Sequence, residues 1–170
     1  MKNSKFIGMI NLSNKVMISD PCYLIDTWCQ GEIENVVPGT YNCYVLEGDI
    51  PNWGHRIKEL FITNSNRPIS REEINILMNF EVGVDSGTAG IFDYDYYEKY
   101  HKDSHDDAYK AWFDKYVLKN HPDFRITSDL GVWSRSGVGD GSYDCYIHSD
   151  EAGLVDAIRV IFIHDSEENE

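Results

Sequence analysis

Short apolar or alternating runs, each cut off by a turn pair, constrain this chain more than any other feature. Phe6 to Ile10, Lys15 to Ser19, Thr40 to Leu46 and Arg56 to Thr63 are runs of this kind, separated by Asp20-Pro21, Pro38-Gly39, Gly48-Asp49 and Asn66-Arg-Pro68. Side chains alternate between the two faces of a strand, so Tyr41, Cys43 and Val45 share one face. Connections this short suit hairpins rather than the long crossovers that parallel strands require. The last third has the same grain. Gly131 to Ser136, Ser142 to Ser149 and Leu154 to His164 read as a three-strand meander, turning at Asp140-Gly141 and Glu151-Ala-Gly153. Val160 to Ile163 lacks polar alternation, as expected of a central strand covered on both faces.

Helical periodicity is confined to the middle. Tyr109, Trp112, Phe113, Tyr116 and Val117 recur at helical spacing behind a capping-box-like Ser104-His-Asp-Asp107, and Pro122 stops the run. Ser70 and Glu73 form a second capping-box pattern, which predicts a short helix over Arg71 to Asn79 and then a strand from Phe80 to Asp85. The expected fold class is α+β: a mainly antiparallel sheet, sandwich or barrel with one helix in mid-chain. No repeat or linker divides the sequence, so residues 1–170 are expected as a single domain with a short acidic tail at 165–170.

Charge narrows the function classes. Fifteen basic against 29 acidic residues give a net charge of −14, which repels the phosphates that supply most nucleic-acid affinity. No direct nucleic-acid partner is expected. An apolar run near the ~20 residues of a membrane span is absent, so no membrane partner is expected and the chain reads as cytoplasmic. Cys22, Cys29, Cys43 and Cys145 match neither a disulfide framework nor a zinc knuckle. Cys43 and Cys145 sit in strand patterns and are expected to be buried and reduced. No cofactor is expected. Apolar strand edges leave a homo-oligomer open.

Two glycine-rich stretches carry what functional signal there is. Val82-Gly-Val-Asp-Ser-Gly-Thr-Ala-Gly-Ile-Phe-Asp93 runs from a strand into an acid, two glycines and a second acid. Ser136-Gly-Val-Gly-Asp-Gly-Ser-Tyr143 is the other. Glycine serves where a backbone turns sharply or approaches a ligand closely. Within the first, Asp85-Ser86-Gly87-Thr88 resembles the catalytic turn of aspartic proteases, but such enzymes need two aspartates sharing a proton and this chain has one copy. Asp20, Asp85, Asp93 and Asp140 all fall at strand ends or turns, where they can ligate a cation, act as acid and base, or simply bind nearby backbone N–H groups. The loop at 136–141 can cradle an anion with Arg135 and Arg125 nearby, or act as a tight hairpin turn at Asp140-Gly141. Tyr23, Trp28, Trp53 and Trp133 sit in or beside loops, where a planar ring can stack on a base. His101 and His105 invite a metal reading that a helix starting at Ser104 defeats.

The order of Ile18-Ser-Asp-Pro-Cys-Tyr23, Thr27-Trp-Cys29, the Val82–Asp93 segment, Gly137-Val-Gly-Asp-Gly-Ser-Tyr-Asp-Cys-Tyr146 and Asp156-Ala-Ile-Arg-Val-Ile-Phe-Ile163 resembles an uncharacterised domain-of-unknown-function family of small bacterial and phage proteins. The resemblance covers nearly the whole chain and implies a phage or bacterial accessory protein, acting in defence or counter-defence. The leading expectation is a non-enzymatic protein that sequesters a small polar, nucleotide-like ligand. Its candidate residues are Asp20, Tyr23, Trp28, Trp53, Asp85, Ser86, Thr88, Arg135, Gly137, Gly139, Asp140 and Tyr143. Two alternatives stand beside it: an acidic inhibitor or immunity protein for a basic partner, and a metal-dependent hydrolase using Asp85 and Asp140.

Overall fold

The computed structural model describes residues 4–102, 114, 123–127 and 129–164. In chain order the strands are β1 (Ser4–Leu12), β2 (Val16–Ser19), β3 (Gly31–Ile33), β4 (Gly39–Ile50), β5 (Gly54–Asn64), β6 (Ile76–Val84), β7 (Thr88–Asp93), β8 (Phe124–Thr127), β9 (Gly131–Arg135), β10 (Gly141–Ser149) and β11 (Val155–Ile161); a helix α1 (Tyr94–Lys102) follows β7. They build two antiparallel sheets, one ordered β1-β4-β5-β11-β10-β6 and the other β3-β2-β7-β9-β8. The α+β class of the sequence reading holds, with a helix in mid-chain, here at Tyr94–Lys102, and with the sheets open rather than closed into a barrel.

The sheets meet through their alternating apolar residues. Tyr41, Cys43 and Val45 of β4 are fully buried on one face, as their spacing predicts, and they join Ile18 of β2, Ile91 of β7 and Val132 of β9 in one core. β11 lies between β5 and β10, so Val160 is central. Its outward neighbours Phe162 and Ile163 are buried too. All four cysteines are free and buried, and burial pushes the Cys43 thiol up to about 12. Such thiols stay protonated and unreactive.

The outer face of the second sheet is covered by α1. Asp93 starts this helix: its carboxylate accepts from the Tyr96 amide at 3.3 Å and from the Ser13 amide at 2.7 Å. Asp93 is therefore a helix cap and loop tie, not a rim carboxylate. Lys99 and Lys102 fall in the last turn, where cations suit the helix dipole. Tyr97 is buried against Phe92, with ring centroids 4.9 Å apart, in a cluster that includes Trp133. Trp133 is thus an inward residue of β9 rather than a loop aromatic available for stacking.

Two further sequence expectations fail. The segment from Arg71 is a single 3-10 turn over Arg71–Glu73, and the chain becomes strand at Ile76. The Ser70–Glu73 box does form: the Ser70 amide and hydroxyl donate to the Glu73 carboxylate at 2.9 and 2.7 Å. Ile74 then plugs the outer face of the first sheet beside Phe61, and Ile76 and Leu77 pair with Ile147 and Tyr146 on β10. Partnering a waiting strand outweighs a helix of two turns, which is marginal alone. The meander also breaks, because β9 pairs with β7 and β8 while β10 pairs with β11 and β6. Asp140-Gly141 consequently ends a crossover between sheets and is no hairpin turn. The helix expected over Ser104 to Asn120 lies outside the described residues.

His101 gives the fold a calculable acid sensitivity. Its ring is buried with centroids 4.3 Å from Tyr97 and 5.3 Å from Tyr100, and burial lowers its pKa from 6.5 to about 4. A histidine whose folded pKa is depressed contributes stability above its unfolded value and loses it as pH falls toward the folded one. Between pH 6.5 and 4 the protein is expected to lose on the order of 2–3 kcal/mol through this residue. Urea titrations of wild type and His101→Phe across that window check it, and parallel pH profiles would sink the assignment.

Candidate functional site

Both glycine-rich stretches are places where the chain changes sheet, and they lie side by side. Asp85–Gly87 carries the chain from β6 to β7, and Ser136–Asp140 carries it from β9 back to β10. Val84 pairs with Gly141 on one flank, Thr88 pairs with Arg135 on the other, and the Ser136 amide donates to the Gly87 carbonyl between them at 3.1 Å. The sequence motifs therefore do converge.

Asp20 fastens the first crossover from behind. It is fully buried, and its carboxylate accepts from the amides of Cys22 (2.8 Å), Asp85 (2.9 Å) and Ser86 (2.7 Å) and from the Ser86 hydroxyl (2.8 Å). Thr88 Oγ1 lies 2.7 Å from Ser86 Oγ and extends the network. Burial raises the Asp20 pKa, and these donors pull it part of the way back. Tyr23 closes the same loop: its amide donates to the Asp20 carbonyl at 3.0 Å and its carbonyl accepts from the Tyr97 hydroxyl. Asp20, Ser86 and Thr88 are buried and bonded to one another, so they shape the site from beneath, as an aspartate that binds local N–H groups does.

The second crossover stands as a ridge between two clefts. Tyr143 is buried, its ring edge-on to Phe162 at 5.2 Å, and its hydroxyl lies 2.9 Å from the Ser136 carbonyl and 2.5 Å from the Gly139 carbonyl. The Gly139 amide donates to Ser136 at 2.9 Å, so it holds the loop and is not offered to a ligand. Gly137 has φ of +60°, the left-handed region, and a Cβ there would come within 3.0 Å of Phe162 and Ile163 atoms. A side chain at 137 would meet both obstacles.

On one side of the ridge, a cleft of about 340 Å³ is lined by His55, Arg56, Arg135, Gly87, Gly137 and Gly139 together with the carboxylate residues Glu47 and Asp123, and His55 Nδ1 lies 3.1 Å from Asp49. Arg135 Nε is 3.6 Å from Asp123. On the other side, a groove of about 490 Å³ has Trp53, Tyr143 and Phe162 among its walls and the carboxylates of Glu81, Asp140 and Asp144 along it. Val138 borders both. Trp53 sits half-exposed at the tip of the β4–β5 hairpin, where Asn52 adopts φ of +65°. A cleft holding two arginines thus adjoins an aromatic, carboxylate-lined groove on a chain of net charge −14.

The twelve sequence candidates thus separate. Arg135, Gly137 and Gly139 line the arginine cleft, Trp53, Asp140 and Tyr143 line the groove, and Asp20, Tyr23, Ser86 and Thr88 form the support behind them. Asp85 is exposed at the turn, opposite Asp140 at the end of the β6–β10 ladder. Among the described residues no group of three or more His, Cys, Asp or Glu side chains is placed to hold a metal ion. Trp28 is 91% exposed on the Asp20–Gln30 loop and borders neither cleft. Arg56, Glu81 and Phe162 were not candidates from sequence. Only Arg56 left a trace there, as a base directly following the Trp53-Gly-His55 turn.

No helix among the described residues is long and apolar enough to cross a membrane. Comparison with curated proteins and with solved structures gives no match. Residues 11–160 match the family described as Protein of unknown function (DUF4241). Spanning most of the chain and both crossovers, that match places the protein in the DUF4241 family.

Proposed function

We propose that this protein binds and sequesters a small anionic, nucleotide-like ligand across the two clefts, as a bacterial or phage accessory factor in defence or counter-defence. The observation that carries the reading is the gathering of His55, Arg56 and Arg135 around one cleft of a strongly acidic chain. Two arginines and a histidine on one concavity offer phosphate charged and neutral hydrogen-bond donors, in competition with Glu47 and Asp123. Sequestration asks only for preorganised donors and an aromatic wall, and the bonded ridge supplies rigidity at no cost on binding.

A thermal-shift screen of nucleoside mono- and diphosphates, cyclic oligonucleotides and ADP-ribose derivatives tests it. A ligand at 100 times its dissociation constant adds ~2.7 kcal/mol, several degrees for a chain this size. The Arg56→Glu, Arg135→Glu double variant is expected to melt within a few degrees of wild type and to show no shift. Ligand recovered chemically unchanged supports sequestration; turnover would replace it with catalysis.

One observation favours a second reading. Trp28 and Leu24 are exposed on a loop that is nevertheless tied down, with the Thr27 hydroxyl donating to the Leu24 carbonyl at 2.7 Å and Gln30 donating to Ser19 at 2.9 Å. A fixed, exposed tryptophan beside acidic residues suits a basic protein partner. Silence of the small-molecule screen, followed by salt-sensitive capture of one partner that Trp28→Ala abolishes, would favour that reading.

A further inference from the structure

The groove beside the arginine cleft has a chemistry of its own, and it bears on which nucleotide fits. Glu81 on β6 and Asp140 on the ridge both present carboxylates to it. Among the described residues neither carboxylate has a side-chain hydrogen bond or ion pair. Asp144, the third, is engaged by His164 at 3.3 Å and by the Tyr146 hydroxyl at 3.4 Å. Trp53 gives the groove a flat, half-exposed aromatic wall, while Tyr143 and Phe162 give it an apolar floor. A planar ring can lie there, and its edge then meets acceptors that carry negative charge.

From this arrangement, and resting on the nucleotide-sequestration reading above, we infer that the ligand is a guanine nucleotide, its base against Trp53 and its phosphates over Val138 in the cleft of Arg56 and Arg135. An ionised carboxylate only accepts hydrogen bonds. Guanine alone among the common bases shows two adjacent N–H donors, N1–H and the 2-amino group, which one carboxylate takes as a bidentate pair. Adenine and cytosine show an amino group beside an acceptor nitrogen, so they give one bond and one repulsion. Uracil shows a single N–H between two carbonyls and is repelled twice. A ligand edge that presents acceptors to these carboxylates is repelled by their charge, so a base lacking the donor pair binds more weakly. The placement of the arginines also fixes direction: Arg56 and Arg135 line only the cleft, while the groove offers phosphate the carboxylates of Glu81, Asp140 and Asp144, which repel it.

Isothermal titration of the full chain with GDP, ADP, CDP, UDP and inorganic pyrophosphate tests the inference. GDP is expected to bind at least ~10-fold more tightly than UDP, with ADP and CDP between, as one bidentate pair warrants. In the Glu81→Gln, Asp140→Asn double variant the GDP preference should collapse while pyrophosphate affinity stays or rises. Both substitutions are at exposed positions, so folding is preserved and melting temperature verifies it. Equal GDP and UDP affinities in wild type, or a preference that survives in the double variant, overturns the guanine assignment alone, provided pyrophosphate binds. If neither pyrophosphate nor any nucleotide binds, the sequestration reading falls and takes this inference with it.

Discussion

Asp20→Asn is expected to lower the melting temperature by roughly 10 °C, a loss of about 3–5 kcal/mol at neutral pH. The buried carboxylate receives four donors, two on each oxygen. An amide of the same shape turns one oxygen into a donor, so whichever way it points, two N–H or O–H groups face N–H instead of an acceptor. Unsatisfied buried donors cost about 1–3 kcal/mol each, and bonds to a charged acceptor are stronger than neutral ones. The damage should be local in space and distant in sequence, since Asp20 ties the Asp85–Ser86 turn 65 residues away. Guanidinium melts of Asp20→Asn beside Asp85→Asn decide the matter. Asp85 is exposed and contributes only its amide to Asp20, so its substitution should cost little. Comparable losses in the two variants would show that the carboxylate of Asp20 is not the hub.

The contrast between those two aspartates shows where the sequence stops being informative. Both stand at turns, in a composition that allows ligand, base or local tie, and nothing in one sequence says which backbone amides a carboxylate will meet. Period-two patterning has a similar limit. It told correctly which face of β4 is buried, because Tyr41, Cys43 and Val45 report burial directly. It could not say that β9 pairs with β7 rather than β10, since a pattern fixes a strand's face and not its partner. β7 was hidden for a related reason: Thr88-Ala-Gly-Ile-Phe-Asp93 is buried throughout, so no polar residue alternates with the apolar ones, and its glycines read as turn. Glu59 and Arg159 form a part-buried ion pair at 2.5–2.8 Å across 100 residues, legible only once β5 and β11 are neighbours. For the candidate site, the two glycine motifs were visible and their juxtaposition was not. Trp53 and Trp28 were both candidates as loop aromatics, with Trp53-Gly-His55 between two strands the more suggestive, and the sheet geometry sends Trp53 to a groove and Trp28 to open solvent.

Gly131→Ala is expected to destabilise the protein by more than about 3 kcal/mol, because the obstacle is backbone and cannot rotate away. Gly131 has φ of +151°, and an added Cβ would lie 2.2 Å from the Ile91 carbonyl oxygen and 2.8 Å from the Phe92 Cα. These atoms belong to β7, the strand with which Gly131 pairs, so relief requires parting the β7–β9 ladder. That ladder ends at the Thr88–Arg135 pair beside the arginine cleft, and the ligand response should weaken together with stability. Gly153→Ala separates the two causes. Gly153 also has positive φ, +80°, but a Cβ there meets nothing within 4 Å, leaving only the left-handed backbone penalty of about 1 kcal/mol. Urea unfolding of both variants should therefore give clearly unequal losses. Equal losses would mean that β9 can shift without cost, and then the placement of Arg135 at the cleft would rest on the ridge loop and its Tyr143 bonds instead of on the sheet.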